Sequence, residues 1–154
     1  MTAVAAPPRL SVRAVSPTTL PQLWPLLAEF AATRGADGQG PEALMQLCYQ
    51  RLSDPSFLVV MLLDESGPVG FAAAQIGSTP TGREVFILTM YAQPGLSVSA
   101  GRTLDAALCL WGRANQAVRI GARTVRQADG QLSEERAWRR NGYQPESVLV
   151  YKEL

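Results

Sequence analysis

Between Phe57 and Ala92 the chain carries three strand-like segments in a row, and this meander restricts the fold more than any other feature. Phe57-Leu-Val-Val-Met-Leu-Leu63 is continuously apolar, as a strand covered on both faces would be. Asp64-Glu-Ser-Gly-Pro68 reads as a turn and Val69–Ile76 as the returning strand. Gly77-Ser-Thr-Pro-Thr-Gly82 turns again into a third strand, Glu84–Ala92. Such a sheet needs partner layers to cover it.

The flanking sequence supplies them. Arg9-Leu-Ser-Val-Arg-Ala-Val15 alternates polar and apolar, the period of a half-buried strand, and Ser16-Pro17 ends it. Leu20, Leu23, Trp24, Leu27 and Phe30 recur at helical spacing. Pro21 fits a first turn, whereas Pro25 kinks or restarts that helix. Thr33-Arg-Gly-Ala-Asp-Gly-Gln-Gly-Pro41 reads as a mobile loop, and Pro41 to Leu52 as a second helix with Leu44, Leu47, Cys48 and Leu52 facing inward. Beyond the meander, Leu104, Ala107, Leu108 and Trp111 form an apolar helical face, and Ala122–Gln127 reads as a short strand. A last helix has Ser133 as cap, Glu134 and Glu135 in its first turn, Arg139 and Arg140 in its last, and Asn141-Gly142 as a left-handed stop. Tyr143 to Leu154 is the final strand. The order βααβββαβαβ describes one mixed α/β layer domain over residues 1–154, with 1–8 a frayed tail.

Apolar residues make up 47% and charged residues 18% of the 154, which favours a packed core over disorder. The longest apolar run falls far short of the ~20 residues a membrane helix needs. The N-terminus has neither the basic region nor the long apolar stretch of a secretion signal, so a cytoplasmic location is expected. Cys48 and Cys109 lie on apolar helical faces and read as buried free thiols. The chain has no histidine, which removes Ser-His-Asp and Cys-His catalysis and most zinc sites; no metal is expected. Formal net charge is +1, but residues 102–140 hold eight arginines against Asp105, Asp129, Glu134 and Glu135. A locally positive half suits an anionic ligand. A nucleic-acid interface calls for more net positive charge and clustered exposed aromatics, so none is expected.

Tyr91-Ala-Gln-Pro-Gly-Leu-Ser-Val-Ser-Ala-Gly-Arg-Thr-Leu104 runs from a strand end through a small-residue loop into a helix. The first N–H groups of a helix lack intrahelical partners, and its dipole adds partial positive charge there. Ser97, Ser99, Ala100 and Gly101 allow a phosphate to approach the backbone, Arg102 adds a charge and Thr103 a hydroxyl.

The element order and these residues resemble the GNAT superfamily of acetyl-CoA-dependent N-acetyltransferases over essentially the whole chain. In that family Gln/Arg-x-x-Gly-x-Gly/Ala holds the coenzyme A pyrophosphate at a helix N-terminus. The matching stretch is Leu96-Ser-Val-Ser-Ala-Gly101, in which Gly101 matches, Leu96 replaces Gln/Arg and Ser99 replaces the first glycine. Ala137-Trp-Arg-Arg-Asn-Gly-Tyr143 is similar to the family's Phe-Tyr-x-x-x-Gly-Phe, whose tyrosine is a general acid in many members. Trp138 stands at that position, and an indole N–H cannot do that work at neutral pH. The family's strand glutamate has no counterpart in Phe86-Ile-Leu-Thr-Met-Tyr91, and Glu84 lies at the far end.

The resemblance implies that acetyl-CoA, used as co-substrate, contacts Met90, Tyr91, Ala92, Ser97, Val98, Ser99, Ala100, Gly101, Arg102, Thr103, Gln131 and Trp138. It would enter between the third meander strand and the strand Ala122–Gln127. The acceptor, a primary amine on a small molecule or peptide, would meet Thr33–Gly40. Tyr91, Thr89, Tyr143 and Glu84 are the candidate proton carriers, and none stands out. No acidic cluster that would recruit a polycation is evident. A homodimer is compatible with the resemblance. Two other readings stay open: a non-catalytic module of this fold that binds coenzyme A or a protein, and an unrelated helix-terminus phosphate binder.

Overall fold

The structure is a computed structural model and describes residues 9–33, 40–96, 98–122 and 139–144. The chain divides into two compact units, Met1–Arg123 and Thr124–Leu154.

In the first unit, β1 (Ser11–Ala14) leads through a 3-10 helix (Leu20–Leu23) into α1 (Trp24–Thr33) and α2 (Pro41–Arg51). The meander β2 (Phe57–Asp64), β3 (Gly67–Thr79) and β4 (Gly82–Ala92) follows, then α3 (Val98–Ala114) and β5 (Ala117–Ala122). The sheet order is β1-β2-β3-β4-β5. All pairs are antiparallel except β4 with β5, which is parallel. The expected mixed, mostly antiparallel sheet with flanking helices is therefore present.

Local chemistry explains the elements. Ser16 N–H donates to Thr19 Oγ1 at 2.8 Å, turning the chain out of β1. Pro25 is the second residue of α1, where a missing N–H costs nothing, so it restarts the helix after the 3-10 turn. That change of pitch alters the facing of Trp24: it is 41% exposed, and Leu26 is buried instead. Pro41 begins α2, with Glu42 in its first turn and Arg51 in its last. Leu47, expected to face inward, is 41% exposed. At about 100° per residue, Leu44, Met45, Cys48 and Leu52 share one stripe and pack on the core, and Leu47 falls outside it.

Both hairpins are tighter than the sequence suggests. Pro68 is in β3, opposite Leu63, and the first turn is only Glu65-Ser66. Asp64 Oδ1 accepts from Ser66 N at 2.7 Å, and Gly67 takes φ 124°, a value glycine adopts without strain. The second turn shrinks to Pro80-Thr81, because β3 runs on to Thr79 and β4 begins at Gly82.

Side chains alternate across the sheet. One face carries Val59, Met61, Phe71 and Ala73 into a core with Leu20, Leu23, Leu27 and Phe30. On the other, α3 buries Leu104 and Leu108 completely, and a β-carbon at Gly112 would lie 2.8 Å from Val85 Cγ2. Each such leucine contributes about 1.5–3 kcal/mol through burial.

The fifth strand is Ala117–Ala122, so it begins five residues ahead of the expected start at Ala122. Helix α3 stops at Ala114, Gln116 takes φ 61°, and the chain passes directly into the strand. Residues 123–127 lie outside the described residues, as do the 1–8 tail, 34–39 of the glycine-rich loop, Gln131, the Ser133 cap, Trp138 and the final strand from 145. In the second unit Arg139 and Arg140 are helical and Gly142 has φ 85°, which is the expected left-handed stop.

Candidate active site

Strand β4 has an antiparallel neighbour, β3, on one side and a parallel one, β5, on the other. Arg83 to Ile87 lie between the two, and Ile87 pairs with Ala122, where the described part of β5 ends. Ala73 pairs with Thr89 and Ala74 with Ile87, so Leu88 is an extra, bulged residue, 49% exposed.

The bulge reverses the facing of the residues beyond it. Thr89 and Tyr91 pair with Ala73 and Phe71 and share their face, while Met90 pairs with Ala72 on the other. Thr89 Oγ1 is buried with no hydrogen-bond partner among the described residues, which costs about 1–3 kcal/mol of desolvation. Tyr91 packs its ring against Phe30 and Phe71, with centroids 5.8 and 6.0 Å away. Its Oη donates to Glu29 Oε2 at 3.2 Å. Gln93 Nε2 donates to Glu29 Oε1 at 3.0 Å and to Oε2 at 3.2 Å. Burial first, then the hydrogen bond and negative charge of Glu29, push the Tyr91 phenol above its usual value. It is a neutral donor at physiological pH.

Glu29 has no place among the sequence-based candidates. It is the single charged residue of α1, which is the signal available for it, but its partners lie 62 and 64 residues away. Among the described residues no Arg or Lys lies within salt-bridge distance of its carboxylate.

Past β4, Gln93 N bonds to Val69 O at 2.9 Å, and Pro94-Gly95, with Gly95 at φ 87°, turns the chain into α3. Val98, Ser99 and Arg102 are exposed and Ala100 is buried. A β-carbon at Gly101 would meet nothing within 4 Å, so the first turn presents open space. The Thr103 hydroxyl is turned back onto the helix, donating to Ser99 O at 2.6 Å. Ser97, Gln131 and Trp138 lie outside the described residues.

Glu84 belongs to the opposite end of β4. Its Oε1 accepts from Thr81 Oγ1 at 2.8 Å and Thr79 Oγ1 at 3.1 Å, and lies 3.9 Å from Arg119 Nε. The Thr81 bond first, then Thr79 and the Arg119 charge, hold its carboxyl below the usual range. Tyr143 falls in the second unit. Cys48 is buried and Cys109 half-buried, both free, with burial raising each thiol. No helix among the described residues is long and apolar enough to cross a membrane.

An open apolar hollow of about 410 Å³ lies elsewhere, lined by Pro17, Leu20, Trp24, Met45 and Tyr49 among others. None of its lining residues belongs to β4 or α3; its polar members are Glu42, Gln46 and Tyr49. The C-terminal half of β4 brings together a bulge, a buried hydroxyl with no partner among the described residues and a braced carboxylate, and is the better site.

No family model matches the chain, and no curated protein matches it. Solved structures do. Aminoglycoside N-acetyltransferase AAC(6')-Iy in complex with CoA superposes with a TM-score of 0.76 at 16% identity, covering 97% of this chain and 98% of its own. A predicted acetyltransferase with acetyl-CoA from Clostridium acetobutylicum gives 0.73 at 14% identity, covering 94% and 96%. Ribosomal-protein-alanine N-acetyltransferase from Brucella melitensis biovar Abortus 2308 gives 0.73 at 14%, covering 95% and 99%. The mixed, mostly antiparallel five-stranded sheet with flanking helices, in this element order, gives the chain the fold of the GNAT acetyltransferases.

Proposed function

We propose that the protein is an N-acetyltransferase that moves the acetyl group of acetyl-CoA to a primary amine of a small molecule or peptide. The observation that carries this reading is the Leu88 bulge in β4, which follows the segment paired with the parallel strand β5 and precedes the start of α3. The acetyltransferase likenesses support it.

The residues present suit a pyrophosphate-bearing donor. Main-chain amides from Val98 to Arg102 lie at the N-terminus of a 17-residue helix, where dipole and N–H groups favour anions. Open space at Gly101 lets phosphate oxygens reach the backbone. Acetyl-CoA brings a thioester already activated toward amines.

The protein then has little covalent chemistry to perform. Holding two reactants in register supplies several kcal/mol of the barrier. Backbone N–H groups at the Leu88 bulge polarise the acetyl carbonyl, whose oxygen gains charge as the amine attacks. The buried Thr89 hydroxyl gains a partner when the acceptor nitrogen arrives; as the C–N bond forms and the C–S bond breaks, the proton that nitrogen loses ends on the departing thiolate. Tyr91, held neutral, keeps Glu29 in place.

Calorimetry with acetyl-CoA, followed by release of free thiol in the presence of a panel of primary amines, tests the proposal. Binding with turnover sustains it. Binding without turnover on any amine leaves a coenzyme A-binding module, and no binding removes the coenzyme reading altogether.

A further inference from the structure

The Glu29 carboxylate is unusual in what holds it. Three hydrogen bonds from two neutral side chains, Tyr91 and Gln93, fix both of its oxygens. Among the described residues no cation neutralises it. An exposed glutamate on a helix ordinarily swings free, and ordering it costs side-chain entropy. Here a strand 62 residues away supplies the order and leaves the charge uncompensated. Neutral donors that orient an anion without quenching it create a preformed receptor for a positive group.

Its position relative to the Leu88 bulge sets a length. Thr89 and Tyr91 share one face of β4, and the bulge is at Leu88. Three residues of strand separate the bulge from Tyr91, on the order of 10 Å at ~3.4 Å per residue, and the Glu29 carboxylate sits at the tip of the Tyr91 phenol. A nitrogen attacking at the bulge and a charge on Glu29 are therefore different atoms of one acceptor.

We propose that Glu29, braced by Tyr91 and Gln93, binds a second, cationic group of the acceptor, so that the preferred substrate is a diamine or larger polyamine with its two nitrogens on the order of 10 Å apart. This rests on the acetyl-transfer reading and deepens it. Glu29 acts as a specificity residue: the amine that is acetylated reacts at the Leu88 bulge, while the other remains protonated and gains a charge-assisted contact.

The test compares α,ω-diaminoalkanes of increasing chain length with n-alkylamines of the same lengths. For the unaltered protein, kcat/KM for diamines should peak at an intermediate length and exceed that of the matched monoamine. Glu29→Gln should reduce the diamine-to-monoamine ratio about 10- to 100-fold, chiefly through KM. Glu29→Asp, which keeps the charge on a shorter stem, should retain the preference and move the optimum to a longer diamine. A ratio that survives Glu29→Gln overturns the proposal. So does an equal fall in kcat for both series with a displaced acidic limb of the pH profile, which would make Glu29 a base. Calorimetric titration of the same diamines into the protein saturated with coenzyme A separates the two readings. Glu29-dependent diamine binding without turnover sustains this inference while removing the acetyl-transfer reading. Turnover of monoamines without diamine binding does the reverse.

Discussion

A β-carbon on Gly70 would stand 2.7 Å from the carbonyl oxygen of Tyr91 and 3.3 Å from Ala92 Cα. The end of β4 is thus drawn against β3 by an approach only glycine permits. Backbone cannot yield as a side-chain tip does, so Gly70→Ala should destabilise the protein by about 1–3 kcal/mol, or roughly 3–10 °C in Tm. The same displacement moves Tyr91 away from Glu29, so turnover should fall more than the melting temperature alone accounts for. Thermal melts and single-turnover rates on one preparation check both parts.

Thr89→Val should separate stability from activity. The substitution keeps the shape of the side chain and removes a buried hydroxyl that has no partner. Denaturant titration should show stability unchanged or raised, by at most ~1–2 kcal/mol, while kcat drops about tenfold or more. A loss of stability would mean that the hydroxyl is hydrogen-bonded in solution.

Tyr91→Phe preserves the ring contacts with Phe30 and Phe71 and deletes the bond to Glu29. The pair is accessible to solvent, so the cost near neutrality should be ~1 kcal/mol or less. Its pH dependence has a definite sign. The folded-state phenol titrates above the ordinary tyrosine value near ~10, so its contribution is complete below that value. It disappears as pH rises through the folded pKa. The two proteins should therefore converge in stability in strongly alkaline buffer, measured by urea melts at several pH values.

Glu84→Gln tests the remote carboxylate. Its bonds to Thr81 and Thr79 brace the second hairpin, at the end of β4 away from the Leu88 bulge. With its pKa lowered, any stabilisation it provides is present above the unfolded carboxyl value and lost as pH falls through the folded one. The pH–rate profile should keep its acidic limb after the substitution. A limb that vanishes would make Glu84 the base.

Gly101→Val places a branched side chain in the space next to the first turn of α3. Valine is no worse than glycine in a helix interior, and nothing lies within 4 Å of its β-carbon. The melting temperature should hold while acetyl-CoA affinity falls at least tenfold by calorimetry. Retained affinity would move the pyrophosphate elsewhere.

The fold was legible where the information was local. Pro25 announced the restart of α1, and the unbroken Phe57–Leu63 run announced a strand covered on both faces. Facing was harder, because Trp24 depends on a 3-10 turn that hydrophobic spacing does not reveal. The start of β5 was missed because Asn115-Gln116 ends α3 through a positive φ at glutamine, a residue with no strong preference for it. The site was half legible. Tyr91, Thr89 and the α3 start announced themselves by strand and loop chemistry. Glu29 did not, since its meaning comes from two side chains more than sixty residues along the chain. The Leu88 bulge is likewise a property of register between strands and leaves no mark in the alternation of β4 alone.

The Leu88 bulge also divides one strand between two kinds of inheritance. A substitution from Arg83 to Ile87 must satisfy a neighbour on either side, and its errors spread into the sheet. Beyond the bulge the facing has been reset, and Thr89 and Tyr91 answer to Phe71, Ala73 and α1 instead. Losing or shifting that one extra residue would turn every later side chain of β4 over while leaving the first half of the strand as it stands.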